Sequence, residues 1–262
     1  MHVDTILHHC LEPLLHHLHR WRQATLLAAV ASCLSGPRLC LTDLGRRLAG
    51  EARLRHKIKR SDRLLGNRHL QQEAGSIYAA RCRVTLARIR EPLILIDWSD
   101  LKADQSLHLL RASLPVGGRS LTLYEEVHPQ KQLGNRVVQQ RFLGRLAQLL
   151  PASVAPIIIA DAGFKVPFYQ EVERLGWRWV GRVRGRDYVR LNQRWVSCQT
   201  LFKSENGQRR AKLFPRHCRL GHRPGHHGLP TLRLSHAFRQ GLPGDALVAG
   251  RGSIQPEGGS HQ

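Results

Sequence analysis

Two aspartates stand where buried apolar runs end: Asp97 closes LILID and Asp161 closes PIIIAD. Continuous apolar runs of this length have the character of strands covered on both faces. In a sheet that makes the two strands neighbours, both carboxylates come within reach of shared metal ions. Mg2+ suits such a site, because it takes oxygen ligands, keeps several waters and draws further donors from substrate phosphates. Two ions roughly 3.5–4 Å apart can activate a water or sugar hydroxyl and stabilise the leaving oxygen of a phosphodiester. Spacing alone leaves a second reading open, in which both are ordinary strand-to-loop acids that cap backbone amides. Asp100, three residues past Asp97, reads as a turn or outer residue rather than a ligand.

The elements around the two acids suit a mixed sheet. LHLLRASL and SLTLYEEV are strand candidates separated by the turn signal Pro115-Val116-Gly117-Gly118, which with LILID predicts a three-stranded meander. Residues 136–150 place Val137, Phe142, Leu146, Leu149 and Leu150 on a helical face, and Pro151 ends the helix. After Pro167 a short helix runs through Leu175, and WRWVGRVRG supplies a further strand. The order βββαβαβ belongs to an α/β fold with helices packed on a mixed sheet. Arg178, Arg182, Arg184 and Arg186 alternate along that last strand, opposite Trp177, Trp179 and Val183, and suit a phosphate groove or a solvated face. Lys165 lies just past Asp161 and is placed to touch DNA or plain solvent. Trp98 suits base stacking or, more commonly for such a residue, core packing.

The chain carries 41 Lys and Arg against 19 Asp and Glu, a formal charge of +22 over 262 residues. A polyanionic partner neutralises such an excess, and nucleic acid is the expected one, since the basic residues are not gathered on one amphipathic helix as an acidic membrane surface requires. Residues 5–34 alternate apolar and polar positions at helical spacing and stop at Ser35-Gly36-Pro37. Thr42 is placed to cap a short helix that Gly50 ends. The next stretch, EARLRHKIKRSDRLLGNRHL, concentrates Arg53, Arg55, Lys57, Lys59, Arg60, Arg63 and Arg68, a density that favours DNA contact over a solvated face.

The start, MHVDTILHHCLEPLLHHLHR, interrupts any signal-peptide core with His, and no window reaches the roughly 18 apolar residues of a membrane span, so a cytosolic protein without membrane contact is expected. Cys10, Cys33, Cys40, Cys82, Cys198 and Cys218 include no CxxC and read as buried small hydrophobes without disulfides. His217, Cys218, His222, His226 and His227 lack the second ligand pair of a zinc site. The N-terminal His8, His9, His16, His17 and His19 read as a helical polar face. From Ala211 to Gln262 the chain has nine Gly, five Pro and six His but two acids, which predicts an irregular tail. The expected organisation is a helical DNA-binding domain over 1–85, a core over 90–205 and the irregular tail over 206–262.

LTDLGRRL, KIKRSDRLLGNRHL, LIDWSDL, LRASLPVGGRSLTLYEE, ADAGFKVPFY and VERLGWRWVGRVRG, in this order and up to about residue 185, resemble the insertion-sequence-four family of DDE transposases. The resemblance implies a ribonuclease-H-like core with two Mg2+ ions, hydrolysis at transposon ends, hairpin formation and strand transfer by a 3′-hydroxyl within a dimer. It implies a bacterial, cytoplasmic and nucleoid-associated protein whose partners are terminal inverted repeats, target DNA and a second transposase chain. Asp97 and Asp161 match the first two acids of the family triad. The third acid belongs to a motif Tyr-x2-Arg-x3-Glu-x6-Lys. After Asp161 the only tyrosines are Tyr169 and Tyr188, with Val172 and Leu191 in the Arg position and Gly176 and Trp195 in the Glu position. Glu171, Glu173, Glu205 and Glu257 do not replace it, so the core is expected to be incomplete and the third carboxylate missing. A shifted reading frame near residues 190–215 would account for this. The expected activity is that of a transposase crippled in cleavage, with a non-catalytic inhibitor of transposition as the alternative. A host ribonuclease-H-like nuclease would need a further acid that is not evident.

Overall fold

Five helices occupy the first 87 residues, and alternating strands and helices follow. The protein is described by a computed structural model over residues 3–184, 188–191, 194–197, 200, 218–221, 232–234, 236–239 and 245–251. The chain divides into two units, Met1–Ala87 and Arg88–Gln262.

In the first unit α1 spans Val3–Leu15, α2 Arg20–Leu34, α3 Leu41–Arg47, α4 Leu54–Leu65 and α5 Arg68–Thr85. Leu15, Leu18 and Leu27 are buried together, with Leu11, Leu14, Leu26, Leu70 and Ile77 packed around them. Arg22 forms a two-point ion pair with Glu73, Nε to Oε2 at 2.9 Å and Nη2 to Oε1 at 2.5 Å, which fixes α2 against α5. α3 and α4 approach so closely at Gly45 that a Cβ there would lie 2.6 Å from the Ile58 Cα. Asn67 caps α5 by accepting from the amides of His69 and Leu70. Thr42, expected as a cap, is instead inside α3; the chain is already helical at Leu41, and Cys40 is the cap residue without a side-chain bond to an amide. The helix also ends earlier than expected, at Arg47, although Gly50 does take a left-handed conformation, φ 101°.

The second unit is built on a seven-stranded sheet with order β10-β11-β5-β4-β1-β2-β3. Its strands are β1 Leu93–Asp100, β2 Leu107–Val116, β3 Arg119–Pro129, β4 Ile157–Ala160, β5 Arg178–Arg184, β10 His236–Arg239 and β11 Asp245–Arg251. A separate four-stranded sheet, order β7-β6-β8-β9, holds β6 Tyr188–Leu191, β7 Arg194–Ser197, β8 Cys218–Gly221 and β9 Leu232–Leu234. β1, β4 and β5 run parallel, while β2 is antiparallel to β1 and to β3. The expected order βββαβαβ is therefore present, and the fold is α/β with a mixed sheet. The described parts of 206–262, read above as irregular, are strands, and β11 pairs along its whole length with β5. Short strands between Gly- and Pro-rich stretches leave little periodicity to read.

Helices α6 (Arg136–Leu149) and α7 (Val166–Arg174) cover one face of the sheet. Phe142 of α6 stacks on Tyr124 of β3, and Tyr169 of α7 packs on Trp179 of β5. Phe142, Leu143 and Leu146 are fully buried, each contributing about 1.5–3 kcal/mol. Ile94, Ile96 and Ile158 belong to this covered face and are at most 1% exposed, whereas Leu93 on the opposite face is 44% exposed. Both apolar runs are thus strands, but only one of their faces is sealed. No helix among the described residues is long and apolar enough to cross a membrane. Of the cysteines, Cys82 alone is fully buried among those described; Cys10 and Cys40 are exposed and Cys33 is half-buried, a correction to the expectation that all are core residues. Those four form no disulfide.

Candidate active site and nucleic-acid-binding residues

The parallel register of β1 and β4 sets the two aspartates side by side. Leu93 pairs with Ile157, and the register runs on to Ile96 with Ala160, so the next residue on each strand is an acid, Asp97 and Asp161. Neighbouring strands lie about 4.8 Å apart. Alternation along β1 turns Asp97 away from the buried Ile94 and Ile96, to the open face of the sheet. Both acids are exposed.

Asp161 begins the turn into α7, and its Oδ1 accepts the Gly163 amide at 2.8 Å. That is the capping role of the plainer reading, and it leaves the outer carboxylate oxygen available. A Cβ on Gly163 would stand 2.9 Å from the Asp161 Oδ1, so the turn is fitted to this carboxylate. Behind it, the Tyr169 hydroxyl lies 3.4 Å from the Ala160 carbonyl and 3.3 Å from that of Asp161. Gly181 makes room for that hydroxyl, because a Cβ would lie 2.5 Å from it. Asp97 titrates above the ordinary carboxylate range; partial burial is the larger cause and the charge of Asp161 the next. The Trp98 amide, the Ser99 hydroxyl and the Arg111 guanidinium pull the other way without cancelling it.

This donor set fits a hard divalent cation. Two carboxylates repel one another across adjacent strands, and a cation between them relieves that repulsion while phosphate and water oxygens complete its shell. Among the described residues no group of three or more His, Cys, Asp or Glu side chains is placed to hold a metal ion. Glu171 is ion-paired with Arg174, and Glu173 accepts the Trp179 indole N–H at 2.9 Å, so neither joins the pair. Glu205 and Glu257 lie outside the described residues. Asp100 and Trp98 face away from the acids: Asp100 accepts from Gln105 and lies 2.9 Å from the His108 Nδ1, and Trp98 packs edge-on against His128.

On the open face the acid pair is bracketed by arginines. Arg111 is the register partner of Asp97 on β2, and Arg182 follows Gly181, the partner of Ala160, on β5. The Arg111 Nε donates to the Glu125 Oε2 at 3.0 Å, Glu125 being its partner on β3. Arg111 and Glu125 escaped the sequence reading. Their signal was the shared parity of LIDWSD, LRAS and LYEE once the meander is folded about Gly117-Gly118. The other arginines of β5 are less uniform than their alternation suggests. Arg178 lies 2.7 Å from Glu91, Arg182 is half-buried, Arg184 is exposed, and Arg186 is outside the described residues. Lys165 is exposed at the N-cap of α7.

In the helical unit Arg53, Arg55, Lys59, Arg60 and Arg63 are exposed along α4 with Lys57 half-buried, while Ser61 and Leu64 face inward. Arg68 is exposed at the start of α5. Neither α4 nor α5 has an acid in its first turn, although acids there would complement the helix dipole. Cations at both positions add to the positive field of the amides, an arrangement that phosphate oxygens satisfy. The His and Cys cluster at 217–227 lies outside the described residues except for the backbone of Cys218.

No protein-family model, curated protein or solved structure matches the chain.

Proposed function

We propose that this chain is a DNA-binding protein of the DDE transposase class, built on a ribonuclease-H-like core that follows a helical DNA-binding domain. The observation that carries the reading is the register that sets Asp97 and Asp161 side by side where the parallel strands β1 and β4 stop pairing, each acid directly following the last pair, Ile96 with Ala160. The inner strand order β3-β2-β1-β4-β5, with β2 alone reversed, is compatible with such a core. The charge of +22 and the exposed cations of α4 support a double-stranded DNA partner. In the intact class that partner includes the terminal repeats and target DNA, held by a dimer.

Asp97 and Asp161 would hold Mg2+. When bound, that ion supplies positive charge at the attacking and leaving oxygens of a phosphodiester. The protein's own part is to fix both carboxylates on rigid strands, with the Asp161 turn held by Gly163 and Tyr169, and to bring cations to the flanking phosphates. With two carboxylates and no third beside them among the described residues, the chain holds DNA better than it cuts it. It would therefore act on transposition chiefly as a binder that occupies ends or joins an intact copy in a non-productive dimer.

The test is fluorescence anisotropy on a duplex taken from the DNA that flanks the reading frame, against a shuffled duplex of the same composition. The flanking duplex should bind more tightly, with affinity falling steeply as salt rises. Equal affinity for both, or no binding at moderate salt, would refute the reading.

A further inference from the structure

We propose that Arg111, pinned by Glu125, is a phosphate-anchoring residue: a fixed cation beside the acid pair that binds a backbone phosphate next to the one at the carboxylates. The inference rests on the DNA-binding reading above. Three strands contribute to it, because Asp97, Arg111 and Glu125 are successive register partners across β1, β2 and β3. Directly opposed residues share a face of the sheet, with Cβ atoms about 4.5–5.5 Å apart. The open face therefore presents the charges of Asp161, Asp97, Arg111 and Glu125 in a line, two negative, one positive, one negative.

The pairing leaves most of the guanidinium free for a ligand. Of its five N–H donors, the Nε–H goes to Glu125 at 3.0 Å, and the side chain remains 40% exposed. One ion pair at the Nε edge orients the planar group and directs its terminal nitrogens elsewhere, which is how an arginine is prepared for bidentate phosphate binding. A cation with stability as its whole purpose gains little at this place. An exposed cross-strand pair adds little to stability, and Arg111 opposes the attraction of the acid pair for a divalent ion. DNA resolves that conflict, because its phosphates need a positive partner on each side of the metal-binding acids.

The experiment compares Arg111→Gln and Arg111→Lys with the parent in the full chain. DNA affinity is measured over a range of salt with Mg2+ present, and Mn2+ affinity is measured without DNA. Gln can still donate to Glu125 while losing the charge, and Lys restores the charge if the fold is intact. Arg111→Gln should lower the slope of log affinity against log salt by about 0.9, the loss of one phosphate contact, and Arg111→Lys should recover it. In the absence of DNA, Arg111→Gln should tighten Mn2+ binding about three- to tenfold, since a cation beside Asp97 has gone. A cross-strand pair without a phosphate ligand would leave the salt slope unchanged, whatever the effect on Mn2+ binding. An unchanged salt slope in Arg111→Gln, with the parent binding DNA, overturns this inference and leaves the DNA-binding reading standing. Absence of DNA binding by the parent overturns both, so the two failures are told apart.

Discussion

Replacing Asp161 by Asn should make the second unit more stable at neutral pH when no divalent ion is present. The change removes one charge and keeps an oxygen that can accept the Gly163 amide, now bonded at 2.8 Å. With charge centres about 5–6 Å apart on adjacent strands, Coulomb repulsion is worth about 0.7 kcal/mol in water and about 3 kcal/mol at an effective dielectric of 20. Both acids are exposed, so solvent screening favours the lower part of that range, about 1 kcal/mol. The sign follows from proton linkage. Asp97 titrates above its ordinary value in the folded chain, so the folded state holds an extra proton between the two values. Its stabilising effect is complete below the unfolded value and is lost as pH rises through the folded one. The parent should thus lose more stability than Asp161→Asn as pH climbs from about 4 to 7. Denaturant unfolding followed by tryptophan fluorescence in a Trp21→Phe background, which confines the signal to the second unit, reads this transition, and Mg2+ should reverse the order by stabilising the parent alone. An advantage for Asp161→Asn that is the same at every pH, or a loss at neutral pH, would refute the reasoning.

Further outcomes follow from packing and burial. Gly181→Ala should destabilise the chain by about 1–3 kcal/mol, because its Cβ would meet the Tyr169 hydroxyl at 2.5 Å; an unchanged unfolding midpoint would show that the ring moves freely. The Cys82 thiol is pushed up to about 11 by burial, so a maleimide should label Cys10 and Cys40 in the native chain and reach Cys82 only after denaturation, as mass spectrometry of the labelled peptides would show. Glu126 titrates below its ordinary value: burial opposes its ionisation, and Tyr124, Arg145 and His128 together outweigh that. Its contribution is present above the unfolded value and lost as pH falls through the folded one, so Glu126→Gln should flatten the acid limb of the stability curve.

The apolar runs and their terminal acids were legible because three or four consecutive Ile and Leu residues after a proline and before an acid have the length and composition of a strand. The same runs hid the fact that counts for function. Continuous hydrophobicity implies cover on both faces, yet Leu93 is half exposed while Ile94 is sealed, and this asymmetry leaves Asp97 on an accessible face. Which strands are neighbours is also absent from local pattern, since pairing β1 with β4 spans more than fifty intervening residues. Arg111 and Glu125 come into line with Asp97 only through the register of β1, β2 and β3. Thr42 failed as a cap because helical geometry begins one residue earlier, at Leu41, a shift that propensity cannot resolve. β11 was missed because Ala246 to Ala249 is a short apolar stretch without turn signals distinctive enough to separate it from its Gly-rich surroundings.

If Asp97 and Asp161 together form a cation site that DNA completes, electron paramagnetic resonance of Mn2+ titrated into the full chain, with and without duplex DNA, reads it. A bound Mn2+ population should tighten when DNA is added and disappear in both Asp97→Ala and Asp161→Ala. Mn2+ binding that is the same in the parent and in the variant lacking both aspartates would contradict such a site.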